Sequence, residues 1–242
     1  MNTASNTQLA PKKMDLKLAW SGIKTLVDNP EDTAAVFTII RAMSGPSLVR
    51  GFRRFRVTET GQKLIDQEDN LVNILRDRES LRRMGANSLG RAYLKFVETE
   101  EISAEGLVEA SEKDEEEFPD ESIAKYGKRL RDQHDLWHVV TGYGRDELGE
   151  LCLLGFTYAQ TKNRGVGLIV LVGFYQFLRN VGSFTLRPIR RGYEDGRKAS
   201  WLPAEHWETL LSHPLEEVRQ KLKINEPTAY KSTISRLEAA AL

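Results

Sequence analysis

The segment His134-Asp135-Leu136-Trp137-His138, together with Glu150 downstream, has the residue types and spacing of a metal site. Imidazole and carboxylate ligands together suit zinc, manganese or ferrous iron. Residues at i and i+4 lie one turn apart on the same face of a helix, so the rings of His134 and His138 can share one ion. Asp135 lies at i+3 from His138, and its carboxylate can be a further ligand or can orient a histidine. The pattern predicts one buried metal-ligand constellation.

The same residues also allow other interpretations. Two histidines at this spacing on an apolar face can be hydrogen-bonded core residues without a metal. The zinc protease motif is excluded, because it needs glutamate directly after the first histidine, where this chain has Asp135. A phosphohydrolase of the His-Asp class needs an upstream histidine, and none precedes His134. His206 and His213 have no second histidine at ligand spacing, so we interpret them as surface or packing residues.

A helical hairpin is expected to bring these ligands together. Gly142 and Gly144 permit a sharp reversal between two helices predicted at 121–141 and 146–161. Beyond Glu150 the second helix is apolar on every face, so its early carboxylate would be costly to bury unpaired. A shared metal would remove that cost. The first helix carries its apolar residues and both histidines on one stripe, formed by Ile123, Tyr126, Leu130, His134, Trp137, His138 and Thr141.

Helical spacing continues through the rest of the chain, and no alternating run bounded by hairpin turns indicates a sheet. We therefore expect an all-α, single-domain helical bundle with the metal-binding hairpin at its centre. Residues 1–13 are expected to form a flexible tail, 14–225 the helical domain and 226–242 a C-terminal extension. Gly45-Pro46 should end one helix and begin the next. The remaining predicted helices cover 14–28, 31–43, 46–55, 69–76, 87–98, 165–179, 204–212 and 215–222.

Composition limits the classes of partner and compartment. The 35 basic and 35 acidic residues cancel, so we expect no nucleic-acid partner. A single cysteine, Cys152, excludes an internal disulfide framework and favours a reducing compartment. Met1 to Lys13 lacks the apolar core of a secretory signal and the arginine-rich pattern of a mitochondrial presequence. The apolar stretch Val166 to Leu178 falls short of the roughly 20 residues that cross a bilayer, so we interpret it as a core helix.

Two basic clusters each allow two interpretations. The first can lie on an anionic membrane surface, or can be a solvated helix face whose Phe52 and Phe55 are buried. The second can flank a membrane-facing pocket, or can contact the acidic loop predicted between residues 101 and 120. The first cluster is Arg50, Arg53, Arg54 and Arg56, and the second is Arg187, Arg190, Arg191, Arg197 and Lys198.

The His-Asp-x-x-His motif with a downstream glutamate resembles that of the Coq4 family of ubiquinone biosynthesis. All four ligand positions are matched, by His134, Asp135, His138 and Glu150. The resemblance extends over roughly residues 15 to 225. Its other anchors are the segments Asn87-Ser88-Leu89-Gly90-Arg91-Ala92-Tyr93-Leu94-Lys95-Phe96 and Asp195-Gly196-Arg197-Lys198-Ala199.

This resemblance implies an all-helical peripheral membrane protein that binds polyprenylated aromatic precursors of coenzyme Q and works with other ubiquinone biosynthesis proteins. It implies an enzyme that replaces the carboxyl group at ring carbon 1 by a hydroxyl, with His134, Asp135, His138 and Glu150 as catalytic metal ligands. Zinc is the ion expected from the family, with iron or manganese as alternatives. The missing presequence suggests a bacterial member, cytoplasmic and facing the inner membrane.

A non-catalytic role is the main alternative. The chain would then be a prenyl-lipid-binding scaffold that organises the biosynthetic complex, with a structural or vestigial metal. An open coordination position would favour the enzyme, and four protein ligands that close the shell would favour the scaffold. The sequence leaves the oligomeric state open, and a homodimer is compatible with it.

Overall fold

The structure is a computed structural model that describes residues 13–29, 32–65, 71–102 and 120–240. Every regular element in these ranges is a helix, and none of these residues forms a strand, so the all-α prediction is confirmed. Most of the predicted tail and of the acidic loop lies outside the described residues. The helices are α1 Leu16–Asp28, α2 Thr33–Phe55, α3 Glu59–Ile65, α4 Leu71–Arg76, α5 Arg78–Arg83, α6 Leu89–Thr99, α7 Glu121–Asp132, α8 His134–Thr141, α9 Glu147–Thr161, α10 Arg164–Asn180, α11 Leu186–Lys198, α12 Trp207–Leu210, α13 Leu215–Leu222 and α14 Thr228–Ala240, with 3-10 turns at Ser183–Thr185 and Leu202–Ala204.

Helix α9 is the centre of the fold, as its apolar sequence predicted. Cys152 and Leu153 on it are completely buried. Its main partner, α11, was not predicted, because 186–198 is rich in charge and contains two glycines. Those glycines are the reason for the contact: a Cβ on Gly192 would lie 2.3 Å from the Cys152 carbonyl oxygen, and one on Gly196 would lie 2.6 Å from that of Phe156. The two helices therefore pack backbone against backbone.

The predicted helix break at Gly45-Pro46 is wrong. Helix α2 continues through Pro46 without interruption. Proline has no N–H and frees the carbonyl four residues earlier, which is that of Ala42. The Asp15 N–H, just before α1, donates to this carbonyl at 2.9 Å. A contact that is distant in sequence thus satisfies the group that the proline leaves unpaired.

Helix α10 is peripheral, which corrects its interpretation as a core helix. Val166 and Ile169 are buried, but Leu171 is 66% exposed and Tyr175 is 61% exposed. Only one face of this apolar helix packs on the protein, and the other is open to solvent. Phe52 and Phe55, which alternate with the arginines of the first basic cluster, are buried. This agrees with the part of the solvated-face interpretation that concerns the two phenylalanines.

The C-terminal helix α14 packs on the core around α9. Tyr230 is buried, and Ile234 and Leu237 lie against the same apolar cluster. The domain boundary expected at 225–226 stays a prediction. The helix predicted at 121–141 is divided into α7 and α8 at Gln133.

Candidate metal centre

The hairpin of α8 and α9 is built by its loop glycines. Gly142 ends α8 in the left-handed conformation, with φ of 74°. Asp146 caps α9, because its carboxylate accepts the Gly149 N–H at 3.0 Å. A Cβ on Gly149 would lie 2.3 Å from the Gly144 carbonyl oxygen, so only glycine lets the loop pass this close to the helix. The tight loop places Glu150 opposite the two histidines.

His134, His138 and Glu150 converge as the sequence predicted. The Nε2 atom of His138 lies 3.4 Å from one Glu150 oxygen, and that of His134 lies 4.0 Å from the other. One donor atom from each residue lies within 4.8 Å of the other two. The ring centroids of the histidines are 4.8 Å apart. These separations bring three donors to one point without a normal hydrogen bond between them.

Each histidine has its Nδ1 atom engaged and its Nε2 atom directed to Glu150. The His138 Nδ1–H donates to the Tyr143 carbonyl at 3.0 Å, which fixes the tautomer in which Nε2 carries a lone pair. This buried Nε2 has no hydrogen-bond partner. Phe96 stacks on the His138 ring, with centroids 5.5 Å apart, and restricts its rotation.

Asp135 contacts His134 and not His138. Its carboxylate lies 3.2 Å from the His134 Nδ1 atom. In this position Asp135 orients His134, and it stands outside the three-residue group that converges on Glu150. Its predicted role as a further ligand stays a prediction.

The local charges keep both carboxylates ionised. Burial raises the pKa of Glu150, but His138, His134 and Arg145 outweigh burial and the net pKa is lowered. Burial likewise raises the pKa of Asp135, and the hydrogen bond with His134 makes the net pKa lower than usual. Burial lowers the pKa of His134, but Asp135 and Glu150 raise it by more. The site therefore offers two ionised carboxylates to a cation.

Gln133, at the junction of α7 and α8, is a supporting residue that the sequence did not indicate. It is completely buried, and its Oε1 atom accepts the indole N–H groups of Trp207 at 2.8 Å and Trp137 at 3.2 Å. This fixes the backbone directly before His134. Its only sequence signal is its position one turn from both Leu130 and Trp137, which places a polar side chain on the face that carries these apolar residues.

Arg145 in the hairpin loop was also missed. Its Nε atom lies 3.9 Å from Glu150, and its side chain is 39% exposed. A surface-facing guanidinium therefore stands at the edge of the ligand group.

A divalent ion fits these residues. Metal–nitrogen and metal–oxygen bonds of about 2.1 Å in a tetrahedral site separate two donors by about 3.4 Å. The His138–Glu150 distance of 3.4 Å matches this value, and the 4.0 Å between His134 and Glu150 would shorten around a bound ion. The unpartnered Nε2 atom of His138 gains its missing partner when an ion is bound.

The chain is similar to known proteins over most of its length. The profile of the family described as coenzyme Q (ubiquinone) biosynthesis protein Coq4 matches residues 6–228. A mitochondrial COQ4 protein of Lachancea thermotolerans is 26% identical over 230 residues, which is 90% of this chain and 66% of the relative. Another from Yarrowia lipolytica is 25% identical over 210 residues, which is 86% of this chain and 78% of the relative. The COQ4 homologue of Bos taurus is 28% identical over 171 residues, 69% of this chain and 62% of that protein.

A crystal structure supports the fold. A Nostoc punctiforme protein assigned to ubiquinone biosynthesis superposes with a TM-score of 0.65 and 17% identity, over 88% of this chain and all of that chain. The chain spans about two thirds of the length of the Lachancea relative. Since the family profile covers nearly the whole sequence, the chain belongs to the Coq4 family of coenzyme Q (ubiquinone) biosynthesis proteins.

Proposed function

We propose that this chain is a metal-dependent enzyme of ubiquinone biosynthesis that acts on a polyprenylated hydroxybenzoate-derived intermediate. The reaction replaces the carboxyl group at ring carbon 1 by a hydroxyl group, so CO2 leaves and an oxygen atom is taken from an oxidant. The observation that carries the proposal is the convergence of His134, His138 and Glu150 around a buried, unpartnered imidazole nitrogen.

His134, His138 and Glu150 would hold the ion, and Asp135 would orient His134. When bound, a zinc, manganese or ferrous ion supplies a Lewis acid for the substrate's oxygen atoms, and iron can also activate oxygen. With these three residues as its protein ligands, the ion would keep a coordination position for water or substrate, which favours the enzyme over a structural site.

Arg145 would bind the substrate's carboxylate. Its side chain is 39% exposed and reaches Glu150 only at 3.9 Å, so its N–H groups are accessible from the surface. A guanidinium and a carboxylate form a two-pronged hydrogen-bonded pair that fixes the ring's orientation. The substrate's carboxyl carbon is thereby held beside the ligand group.

The apolar surface would receive the prenyl chain and the membrane. The exposed apolar side chains lie mainly on α1, with Leu16 and Trp20, and on α10, with Leu171 and Tyr175. Such exposure favours contact with lipid. None of the helices in the described ranges combines the length and apolar character that spanning a bilayer requires. The location that we propose for the chain is peripheral association with the cytoplasmic face of the inner membrane.

The same surface supports a second candidate function, a prenyl-lipid-binding scaffold for the other proteins of the pathway. Here the exposed side chains of α1 and α10 would be the functional part and the metal would be structural. A homodimer through this surface belongs to the same alternative.

The test is replacement of the ligands in purified, folded protein. His138→Ala and Glu150→Gln should each abolish binding of zinc or manganese, measured by elemental analysis, and should abolish conversion of the carboxylated precursor, measured by mass spectrometry. His213→Ala, an exposed histidine, is the matched control. Conversion that persists after metal binding is lost would contradict the metal-dependent mechanism, and an unaltered, metal-loaded protein that converts no precursor would leave the scaffold.

A further inference from the structure

A groove of about 740 Å³ lies between α10, α11 and the first turn of α14. Arg187, Arg190 and Arg191 line it, and Glu194 is the single acidic residue among the described residues of the lining. We propose that this groove binds the phosphate of a phosphate ester. The site is independent of the proposed reaction, because none of its lining residues is among the metal-ligand candidates.

Several guanidinium N–H groups of these three arginines have no acceptor among the described residues. Arg190 pairs with Glu194 through its Nε atom at 2.8 Å, which leaves the terminal nitrogens unengaged. Arg191 pairs with Asp195 through Nε at 3.1 Å, and its Nη1 atom lies 3.8 Å from Glu194. Within the described part of the chain, no hydrogen bond or ion pair engages Arg187. The pairs with Glu194 and Asp195 restrain the side chains of Arg190 and Arg191. The remaining guanidinium N–H groups can donate to the oxygens of a phosphate.

The opposite wall adds a second contribution. Ala229 lies in the first turn of α14, where the Thr228 N–H already donates to the Glu226 carbonyl at 2.9 Å, but the N–H groups of Ala229 and Tyr230 have no acceptor within the helix. These N–H groups and the positive end of the helix dipole favour the same anion as the arginines.

Thr228, beside Ala229, adds a hydroxyl group to the lining, and the rest of the wall is apolar. It is formed by Phe174 on α10 and Leu186 on α11. Phe174 directly precedes the exposed Tyr175. The groove thus offers an anion site beside apolar surface, which fits a phosphate ester with an apolar group.

The experiment uses the full chain and two probes. Inorganic phosphate is titrated by calorimetry, and flotation measures binding to vesicles of phosphatidylcholine with or without phosphatidylglycerol. Arg187→Gln/Arg190→Gln should weaken binding about 25-fold, since each arginine near an anionic surface contributes about fivefold. Arg78→Gln/Arg83→Gln removes the same charge from exposed positions of α5 and is the control.

The two probes distinguish the sources of the phosphate. Loss of inorganic phosphate binding in the groove variant alone supports a site for a soluble phosphate ester. Loss confined to vesicles that contain phosphatidylglycerol supports a lipid headgroup. The proposal is overturned if neither probe binds the unaltered protein, or if the groove variant and the control bind alike.

Discussion

The phenol of Tyr230 donates to the Asp146 carboxylate and accepts the Gly144 N–H at 3.1 Å. Tyr230 belongs to α14, whereas Asp146 and Gly144 belong to the loop of the metal-site hairpin. The same loop supplies the Tyr143 carbonyl that orients His138. The C-terminal helix lies almost entirely beyond residues 6–228, the range that the family profile matches. Through Tyr230 it nevertheless fixes the loop whose carbonyl orients His138, a candidate metal ligand.

We predict that Tyr230→Phe weakens metal binding about tenfold, a typical result of losing a group that orients a ligand. The variant keeps the ring that packs on Tyr143 and removes both hydrogen bonds. Competition titration with a metal-sensitive dye measures the affinity. Tyr175→Phe, which alters an exposed phenol, should leave it unchanged. Equal affinities in both variants would show that α14 does not support the site.

Gln133→Met is predicted to lower the free energy of unfolding by about 2 kcal/mol, because it leaves two buried indole N–H groups, on Trp137 and Trp207, without an acceptor. Methionine keeps nearly the same volume, so no large cavity is formed. Urea unfolding measures the difference. Gln220→Met, at an exposed position of α13, is the control. A variant as stable as the control would mean that the two indoles find other acceptors.

Much of the candidate site could be predicted because its information is local. The spacing of His134 and His138, the glycines of the loop and the lone carboxylate Glu150 are read along one segment of chain. The supporting contacts are distant in sequence: Gln133 meets Trp207, and Gly144 meets Tyr230. Periodicity within one helix contains no information about such partners.

The errors in the fold have the same origin. The break predicted at Pro46 does not occur because the Asp15 N–H, directly before α1, donates to the Ala42 carbonyl that the proline leaves unpaired. Helix α11 was missed because Gly192 and Gly196 weaken a helix in isolation. The same glycines allow it to pack closely on α9.

The ion pair of Glu208 with Arg129 should make stability depend on pH. Both Glu208 oxygens accept from the guanidinium, at 2.6 and 3.1 Å. Burial raises the pKa of Glu208, but Arg129 outweighs it and the net pKa is lowered from 4.5. A lowered carboxyl pKa gives stability that is fully present above the unfolded-state pKa and is lost as pH falls through the folded-state pKa.

Glu208→Gln should therefore be less stable than the unaltered protein by about 2 kcal/mol above roughly pH 5, and the difference should shrink in more acidic solution. Thermal or urea unfolding across the pH range measures both chains. Glu216→Gln, an exposed position on α13, is the control. A difference that is constant down to the acid transition would show that the Glu208 charge is not the cause.

Gly149→Ala gives the sharpest test of how the hairpin places Glu150. Alanine is the better helix former by about 1 kcal/mol, so propensity alone predicts a more stable protein. The added Cβ, however, would lie 2.3 Å from the Gly144 carbonyl oxygen, and a backbone atom cannot move aside as a flexible side chain does. We predict a loss of about 2 kcal/mol in unfolding free energy and weaker metal binding. Gly85→Ala, where a Cβ meets nothing within 4 Å, should show neither change. Gly149 lies in α9 and Gly85 lies outside the helices, so helix propensity alone would make Gly149→Ala the more stable of the two variants. Only the close approach of loop and helix explains the opposite result, and a stable Gly149→Ala variant with full metal affinity would contradict that approach.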